Sequence, residues 1–406
     1  MPNRIASPSA IIAGGSIAGL AMGMMLRRRG WNVVIAERSA QELSGRGAGI
    51  VTHRQLWNAL AQCGVDTDGK DGVALLERVT WRPDGSVALR MSHPQVMALW
   101  DRLFSLLRNL WGGEGYRLGC ELSGVRQSPG SVIAEFADGS EIEADVLIGA
   151  DGIRSAVRAQ AMGNAKPLYA GYVGWRGMVE EADLPPAVHA ELFEYFCFCL
   201  PPSEQIIGYP VAGDGNDLRP GHRRYNFVWY RPADAATTLV DLLTDEEGVS
   251  HNLAIPPGKI RAAHIAALRE AAGNILSPQF AAVVRAAKAP FLQPIFDLDS
   301  DIIAQGRVAL IGDAAFVARP HIGAGVTKAC EDAVALANAL AGNSNVPEAL
   351  QAYQRVRLPE GKRIVQRARD LGRSLQAQMV SDEEREAAIL HHTAEAVMIE
   401  NASMDF

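Results

Sequence analysis

Three carboxylates in this chain stand where nucleotide chemistry would need them. Glu37 follows the apolar run Trp31–Ala36, Asp151 comes shortly after Val146–Gly149, and Asp313 follows Val308–Ile311 with Gly312 between. The carboxyl ends of such buried strands are where ligands of open α/β sheets collect. Ahead of the first acid, Gly14-Gly15-Ser16-Ile17-Ala18-Gly19 approximates the dinucleotide fingerprint, with Ser16 in place of the middle glycine. Gly14 permits a tight turn, Gly19 lets helix and strand approach, and the helix start offers free N–H groups to a pyrophosphate. The serine weakens this signature without abolishing it, because its hydroxyl can itself donate. Glu37 lies about twenty residues on, where an acid accepts hydrogen bonds from an adenosine ribose, which argues against a 2′-phosphate on that nucleotide. Arg38 beside it either lies along the adenine edge or is a solvated charge.

The elements that must hold these residues are legible around them. Ala10–Ala13 reads as a buried strand, Ala18–Arg29 as a helix stopped by Gly30, and Trp31–Ala36 as the next strand. Together they make a βαβ unit with the glycines at its first turn, the context that gives the fingerprint its meaning. Arg27, Arg28 and Arg29 fall in the last helical turn, where cations suit the helix dipole. Two later stretches repeat the strand-then-acid arrangement. In "EADVLIGADGIRSAVR" (143–158) a buried strand runs into Asp151-Gly152, with Ser155 and Arg158 at a helix start. In "GRVALIGDAAFVARPHIGAGVTKACEDAVALANAL" (306–340) a strand runs into Gly312-Asp313, then Gly323-Ala324-Gly325 and a long helix. A helix is predicted over Val96–Leu110. From about Lys166 to Pro290 the texture changes to short strands at Leu192–Leu200, Gln205–Pro210 and Arg224–Trp229, separated by Gly/Pro-rich turns. Helical patterns return between Ala262 and Ala287, and again from Pro347 onward.

Composition narrows the class of function. The 406 residues are 48% hydrophobic and 21% charged, enough for two or three domains around a substantial core. The net charge of −7 is spread without a basic stripe, so nucleic acid is not an expected partner. The apolar run Ile11–Leu26 is broken by glycines, is followed rather than preceded by arginines, and is too short to span a bilayer, so neither a signal peptide nor a membrane partner is expected. Five cysteines form no disulfide framework and no zinc knuckle, which points to a reducing cytoplasm. Cys197 and Cys199 share one side of a strand with no histidine pair, so no metal is expected.

With the three motifs in order and at this spacing, the chain resembles the class A flavoprotein aromatic hydroxylases over roughly residues 8–360. The resemblance implies an α/β fold: a Rossmann-like FAD-binding domain with an inserted antiparallel β-sheet substrate domain and C-terminal helices. The implied segments are 1–75, 96–165 and 291–346 for the FAD-binding domain, 76–95 and 166–290 for the substrate sheet, and 347–406 for the helices. It also implies FAD as cofactor and NAD(P)H as co-substrate, without a second nucleotide domain. By the same resemblance, Asp313 holds the ribityl chain and the helix opening at Gly323–Gly325 points its N-terminus at the flavin. Asp151 and the backbone around it serve FAD and nicotinamide. Arg102 matches an arginine placed over the flavin or its phosphates, its plainer reading being a surface charge on an amphipathic helix. Gly49 and Ile50 join the cofactor set. The sequence departs from the commoner pattern at Phe316, where many members have histidine, and at Thr327, where many have asparagine. Those features, with "YAGYVGWRG" (169–177) and Arg319-Pro320-His321, look most like the hydroxypyridine-hydroxylating branch.

The chemistry implied is hydride transfer to FAD, oxygen capture as a C4a-hydroperoxide, and attack by an electron-rich ring. Ionising a ring hydroxyl supplies that electron density, so a base or proton relay should touch the substrate in a pocket that excludes water. His53, Tyr209 and His321 are the candidates, each also readable as packing. Trp175, Tyr225, Phe227 and Trp229 either line the ring site or belong to the core. The expected substrate is a small hydroxylated aromatic or N-heteroaromatic ring, best a hydroxypyridine, with a homodimer an open option. Two other readings remain: a flavoprotein of the same fold acting as oxidase, decarboxylating hydroxylase or epoxidase, and a nucleotide-binding regulatory module without turnover. The inserted sheet and the separate Asp-Gly and Gly-Asp stretches count against the last.

Overall fold

The computed structural model describes residues 7–45, 49–66, 71–163, 165–256, 258–377 and 381–403. The chain opens with β1 (Ser9–Ala13), α1 (Ile17–Arg27) and β2 (Asn32–Ala36), followed by β3 (Gly49–Val51), α2 (Arg54–Cys63), β4 (Val73–Trp81) and β5 (Val87–Leu99). Next come α3 (Trp100–Trp111), β6 (Tyr116–Arg117), β7 (Leu122–Gln127), β8 (Val132–Phe136), β9 (Glu141–Ala144), β10 (Val146–Gly149) and α4 (Ala156–Ala161). The middle holds β11 (Leu168–Glu180), α5 (Pro186–Leu192), β12 (Tyr195–Cys199), β13 (Gln205–Val211), β14 (Arg224–Pro232), α6 (Thr238–Leu242), α7 (Ala262–Ile275), α8 (Pro278–Ala286) and β15 (Phe291–Asp297). The last part is β16 (Ala304–Gln305), β17 (Val308–Leu310), α9 (Gly325–Gly342), α10 (Val346–Leu371), α11 (Asp382–Leu390) and α12 (Ala394–Glu400).

Three sheets organise these elements. The nucleotide-type sheet has the order β16-β17-β10-β1-β2-β6 and is parallel except at β16. Its central strands are buried on both faces, which is why β1 and β10 read as unbroken apolar runs. The second sheet, ordered β15-β11-β14-β13-β12-β4-β5-β3, is antiparallel except where β12 meets β4. The third is the small antiparallel meander β7-β8-β9. One core lies around the parallel sheet, under α1 and α9; a second packs α7 and α8 against one face of the large sheet. The FAD-type fold expected from the sequence is the fold observed.

The structure corrects several expected boundaries. The helix expected over Val96–Leu110 starts only at Trp100, because residues up to Leu99 pair with β3 and β4 and that ladder overrides helical spacing. Leu192 ends a helix opened by Pro186 rather than starting a strand, and β12 begins at Tyr195. The substrate-domain strands expected at 76–95 begin earlier and end later, at Val73 and Leu99. Phe291–Asp297, expected in the FAD-binding part, instead pairs with β11 in the large sheet. Among the described residues no helix is long and apolar enough to cross a membrane, and no cluster of His, Cys, Asp or Glu is arranged to hold a metal.

Candidate active site

A cleft of about 560 Å³ runs between the carboxyl edge of the parallel sheet and one face of the large sheet. On the nucleotide side its wall is mostly backbone. Gly14 has φ +105°, and a Cβ there would collide with the carbonyl of Ala150; a Cβ at Gly19 would collide with the carbonyl of Gly14. The turn is therefore pressed against the end of β10 as the fingerprint requires. Ser16 precedes α1 in an extended conformation with its hydroxyl capping nothing, and Ser16, Ile17 and Ala18 line the cleft. Glu37 is buried and accepts from the Gly15 N–H (2.8 Å) and the Ser39 N–H (2.8 Å). A carboxylate has further lone pairs, so Glu37 can brace the turn and still accept from a ribose. The Tyr116 hydroxyl donates to the Gly15 carbonyl (2.9 Å), a brace that sequence reading missed. Arg38 is exposed.

The two other motifs divide their labour differently than expected. Asp151 spends its carboxylate on the start of α4, accepting from Ser155 Oγ (2.5 Å), the Ala156 N–H (2.7 Å) and the Val157 N–H (3.1 Å). It is the backbone around it, at Ala150, Gly152 and Ile153, that lines the cleft. Arg158 ties this stretch to the Gly-Asp motif, donating to the carbonyls of Ile153 (2.6 Å) and Ala314 (2.8 Å). At the Gly-Asp motif, the Gly312 N–H donates to buried Asp332 (2.9 Å), which also accepts from Arg357 Nε (2.7 Å). Neither Asp332 nor Arg357 carries a motif signal. Asp313 instead turns its side chain into the cleft. That carboxyl is open to the cleft and enclosed by protein elsewhere; the enclosure raises its pKa, while Lys328 opposes the rise and Asp332 adds to it. Gly323, Ala324 and Gly325 bring the N-terminus of α9 to the same wall, and Gly49 and Ile50 of β3 stand there too. A Cβ at Gly49 would overlap the ring of Tyr209, so the strand and that tyrosine pack with no space between them.

Arg102 is placed otherwise. Its guanidinium is paired with Asp71 (2.8 and 3.0 Å), and it is Trp100, two residues earlier, that lines the cleft. His53 precedes α2 and meets Thr327 Oγ1 through Nδ1 (3.0 Å), behind the cleft wall rather than in it. Tyr209 and His321 do line the cleft. Burial raises the Tyr209 pKa, so its hydroxyl is a proton donor at neutral pH. His321 is almost fully buried, and its Nε2 meets the Tyr172 hydroxyl at 2.8 Å. Desolvation, with Arg319 and His392 adding to it, pulls the imidazole down to about 3, so it is neutral.

The four aromatic candidates need correction. Trp175, Tyr225, Phe227 and Trp229 point away from the cleft into the core beneath α7 and α8. On the same two strands the alternate positions Arg176, Val228 and Tyr230 face the cleft, joined by Ile207 and Tyr209 of β13. Side chains alternate between faces along a strand, so the ring wall sits one residue out of step with the expectation. The C-terminal end reaches this wall as well: Asn401 and Ala402 line the cleft, and the Ala402 N–H donates to the His321 carbonyl (2.8 Å).

The residues present fit a flavin dinucleotide: a glycine turn closed to side chains, a helix N-terminus, a braced acid on β2 and a free acid after β17. Comparison with known proteins agrees. A family profile described as FAD binding domain-like matches residues 169–297, and one described as FAD binding domain matches residues 300–368. The chain is 33% identical to the 2,6-dihydroxypyridine 3-monooxygenase of Paenarthrobacter nicotinovorans, over 90% of this chain and 91% of that one. It is 31% identical to the aurachin C monooxygenase/isomerase of Stigmatella aurantiaca, over 87% and 86%. The solved structure of 2,6-dihydroxypyridine-3-hydroxylase from Arthrobacter nicotinovorans superposes with TM-score 0.85 at 30% identity, covering 93% of this chain and 96% of that one. The chain belongs to the FAD-dependent aromatic-ring monooxygenases, a class whose cofactor is FAD and whose co-substrate is NAD(P)H.

Proposed function

We propose that this protein hydroxylates a hydroxypyridine. The observation that carries the reading is the likeness to a dihydroxypyridine monooxygenase along nearly the whole chain, together with a cleft that leads from the nucleotide cradle to a wall of Arg176, Tyr209, Tyr230 and His321. Bound FAD, once reduced by NAD(P)H, activates O2 for transfer of one oxygen atom to the ring. Gly14–Gly19, Glu37 and Asp313 hold that cofactor; Arg102 is not among its contacts in this reading. Ile50, Ile207, Val228 and Ile295 supply apolar walls that keep water from the reacting edge. Arg176, Tyr209, Tyr230 and His321 are cleft residues able to hydrogen-bond a ring hydroxyl, while His53 stands behind the wall, against Thr327. Five free thiols suit a reducing cytoplasm. A homodimer is one option for the assembly, to be read by sedimentation.

The test is oxidation of NADH and NADPH by the FAD-loaded protein against a panel of hydroxypyridines and hydroxybenzoates, with oxygen uptake and product mass. A hydroxypyridine should stimulate the reaction and gain one oxygen atom. Stimulation by hydroxybenzoates alone would overturn the reading.

A further inference from the structure

The cleft contains a cation whose Nε has no hydrogen-bond partner among the described residues. Arg176 is half-buried on β11 and lines the cleft, and its Nε is buried without a hydrogen-bond partner. No carboxylate among the described residues pairs with it. The neighbouring Arg319 is different: Asp297 answers it at 2.9 Å while also accepting from Arg369 (2.7 and 3.0 Å). Arg158 is satisfied by backbone carbonyls, and Asp313, the one carboxylate among the described residues that line the cleft, belongs to the opposite wall after β17. An unanswered guanidinium in a partly dry cleft is costly unless an anion arrives to meet it.

The groups around it say which anion. Tyr209 on β13 and Tyr230 on β14 are close enough for the Arg176 charge to act on both, and burial keeps both hydroxyls protonated. They are donors. His321 meets Tyr172 through Nε2 and leaves Nδ1 buried without a partner, and burial depresses its basicity, so it is neutral and a weak proton acceptor. This side of the cleft offers donors to a negative oxygen and, among the described residues that line it, no carboxylate to take a proton.

We infer that Arg176, with Tyr209 and Tyr230, binds the substrate as a ring oxyanion, so that the positive charge rather than a protein base ionises the ring. The ring O–H bond breaks heterolytically, its electron pair stays on oxygen opposite Arg176, and the proton passes to water. This rests on the reading of the protein as a ring hydroxylase and deepens it: the substrate class is rings whose hydroxyl ionises at accessible pH, and Arg176 determines that specificity.

The experiment uses FAD-loaded protein and follows ligand binding by perturbation of the flavin spectrum between pH 5 and 10. The probes are 2,6-dihydroxypyridine, a 4-hydroxybenzoate ester as a ring hydroxyl without carboxylate, and benzoate as a carboxylate without hydroxyl. Wild type should bind the hydroxylated rings about tenfold more tightly per pH unit until the free ring is ionised, then level off. Arg176→Gln should weaken the plateau affinity by about 10- to 100-fold and flatten the pH dependence, while Arg176→Lys restores the slope in part. A purely structural role would move affinity without altering that slope. The inference falls if wild-type affinity does not change with ring ionisation, if Arg176→Gln binds the ring anion as tightly as wild type, if no hydroxylated ring binds, or if benzoate shows the Arg176 dependence and the hydroxylated rings do not. Binding of the ester with the expected slope but not of the pyridine would uphold the inference and reject the hydroxypyridine reading.

Discussion

Arg78 offers the sharpest test of how the cleft is closed. It is fully buried on β4, no carboxylate among the described residues pairs with it, and desolvation draws its pKa down to about 9, so it stays charged at neutral pH. Its partners are Gln95 and the C-terminal segment: Nη1 donates to the carbonyls of Met398 (2.6 Å) and Asn401 (2.8 Å), and Nη2 reaches the carbonyl of Ala402 (3.4 Å). Arg78→Met keeps most of the stem volume and removes every donor. Ala402 retains Gln95 Nε2 (2.9 Å), but the carbonyls of Met398 and Asn401 lose the donors seen here. Stripping two buried carbonyls costs roughly 1–3 kcal/mol each, offset in part by no longer burying a guanidinium, which leaves roughly 2–4 kcal/mol against docking of the segment. Because the loss is local, the segment should open while the rest stays folded. Amide exchange over residues 394–403, read by mass spectrometry, should accelerate by about 30- to 1,000-fold, with circular dichroism unchanged. Asn401 and Ala402 wall the cleft, so peroxide should also rise at the expense of hydroxylated product. Wild-type exchange in a folded Arg78→Met protein would refute the argument, since it would mean the guanidinium does not hold the segment.

Three further outcomes follow from the same geometry. Asp313→Ala removes the one motif acid left free in the cleft and should weaken FAD binding by about 10- to 150-fold, the equivalent of a charge-assisted hydrogen bond, measured by flavin retention on gel filtration; unchanged retention would reject Asp313 as a ligand. Ser16→Gly should retain FAD and Ser16→Leu should lose it, because position 16 lines the cleft at the start of α1; full occupancy of the leucine variant would place the pyrophosphate elsewhere. His321, whose pKa falls from 6.5 to about 3 on folding, makes stability acid-sensitive: below pH 6.5 the unfolded chain binds a proton the folded one refuses, so stability falls with pH from 6.5 toward 3. Between pH 7 and pH 5, His321→Gln should lose about 2 kcal/mol less than wild type in urea unfolding, and parallel curves would show that the imidazole is not held neutral.

What could be read from the sequence was what is local. The β1-α1-β2 unit and the end of β10 announce themselves within about thirty residues, because the glycine turn, the apolar runs and the acid are consecutive. Braces made across the fold left no such trace. Tyr116 meets Gly15, and Arg158 meets Ala314, over more than a hundred residues of chain. The ring wall failed for another reason. Along β14 every residue from Tyr225 to Tyr230 is buried, so hydrophobic alternation, which separates a wet face from a dry one, carries no information there. One face carries Tyr225, Phe227 and Trp229 and the other Asn226, Val228 and Tyr230, and only the packing of α7 and α8 against the first decides that it is core while Val228 and Tyr230 face the cleft.

The acids divide along the same line, and the division bears on how such motifs work. Glu37, Asp151 and Asp332 all spend carboxylate oxygens on backbone N–H groups of the turns that approach the cleft: Glu37 on Gly15, Asp151 on the start of α4, Asp332 on Gly312. Each holds a stretch of main chain in place. Asp313 makes no such bond and faces the cleft. An Asp151→Asn exchange could keep its oxygen on the Ala156 and Val157 N–H groups but would turn an NH2 toward Ser155 Oγ, reversing that bond, so any damage should appear first in the position of the Ala150–Ile153 backbone. The same exchange at Asp313 would leave every turn intact and change only what the cleft offers a ligand. The acids that mark the motifs in the sequence are thus of two physical kinds, and only the side chain without an internal partner is free to recognise the cofactor directly.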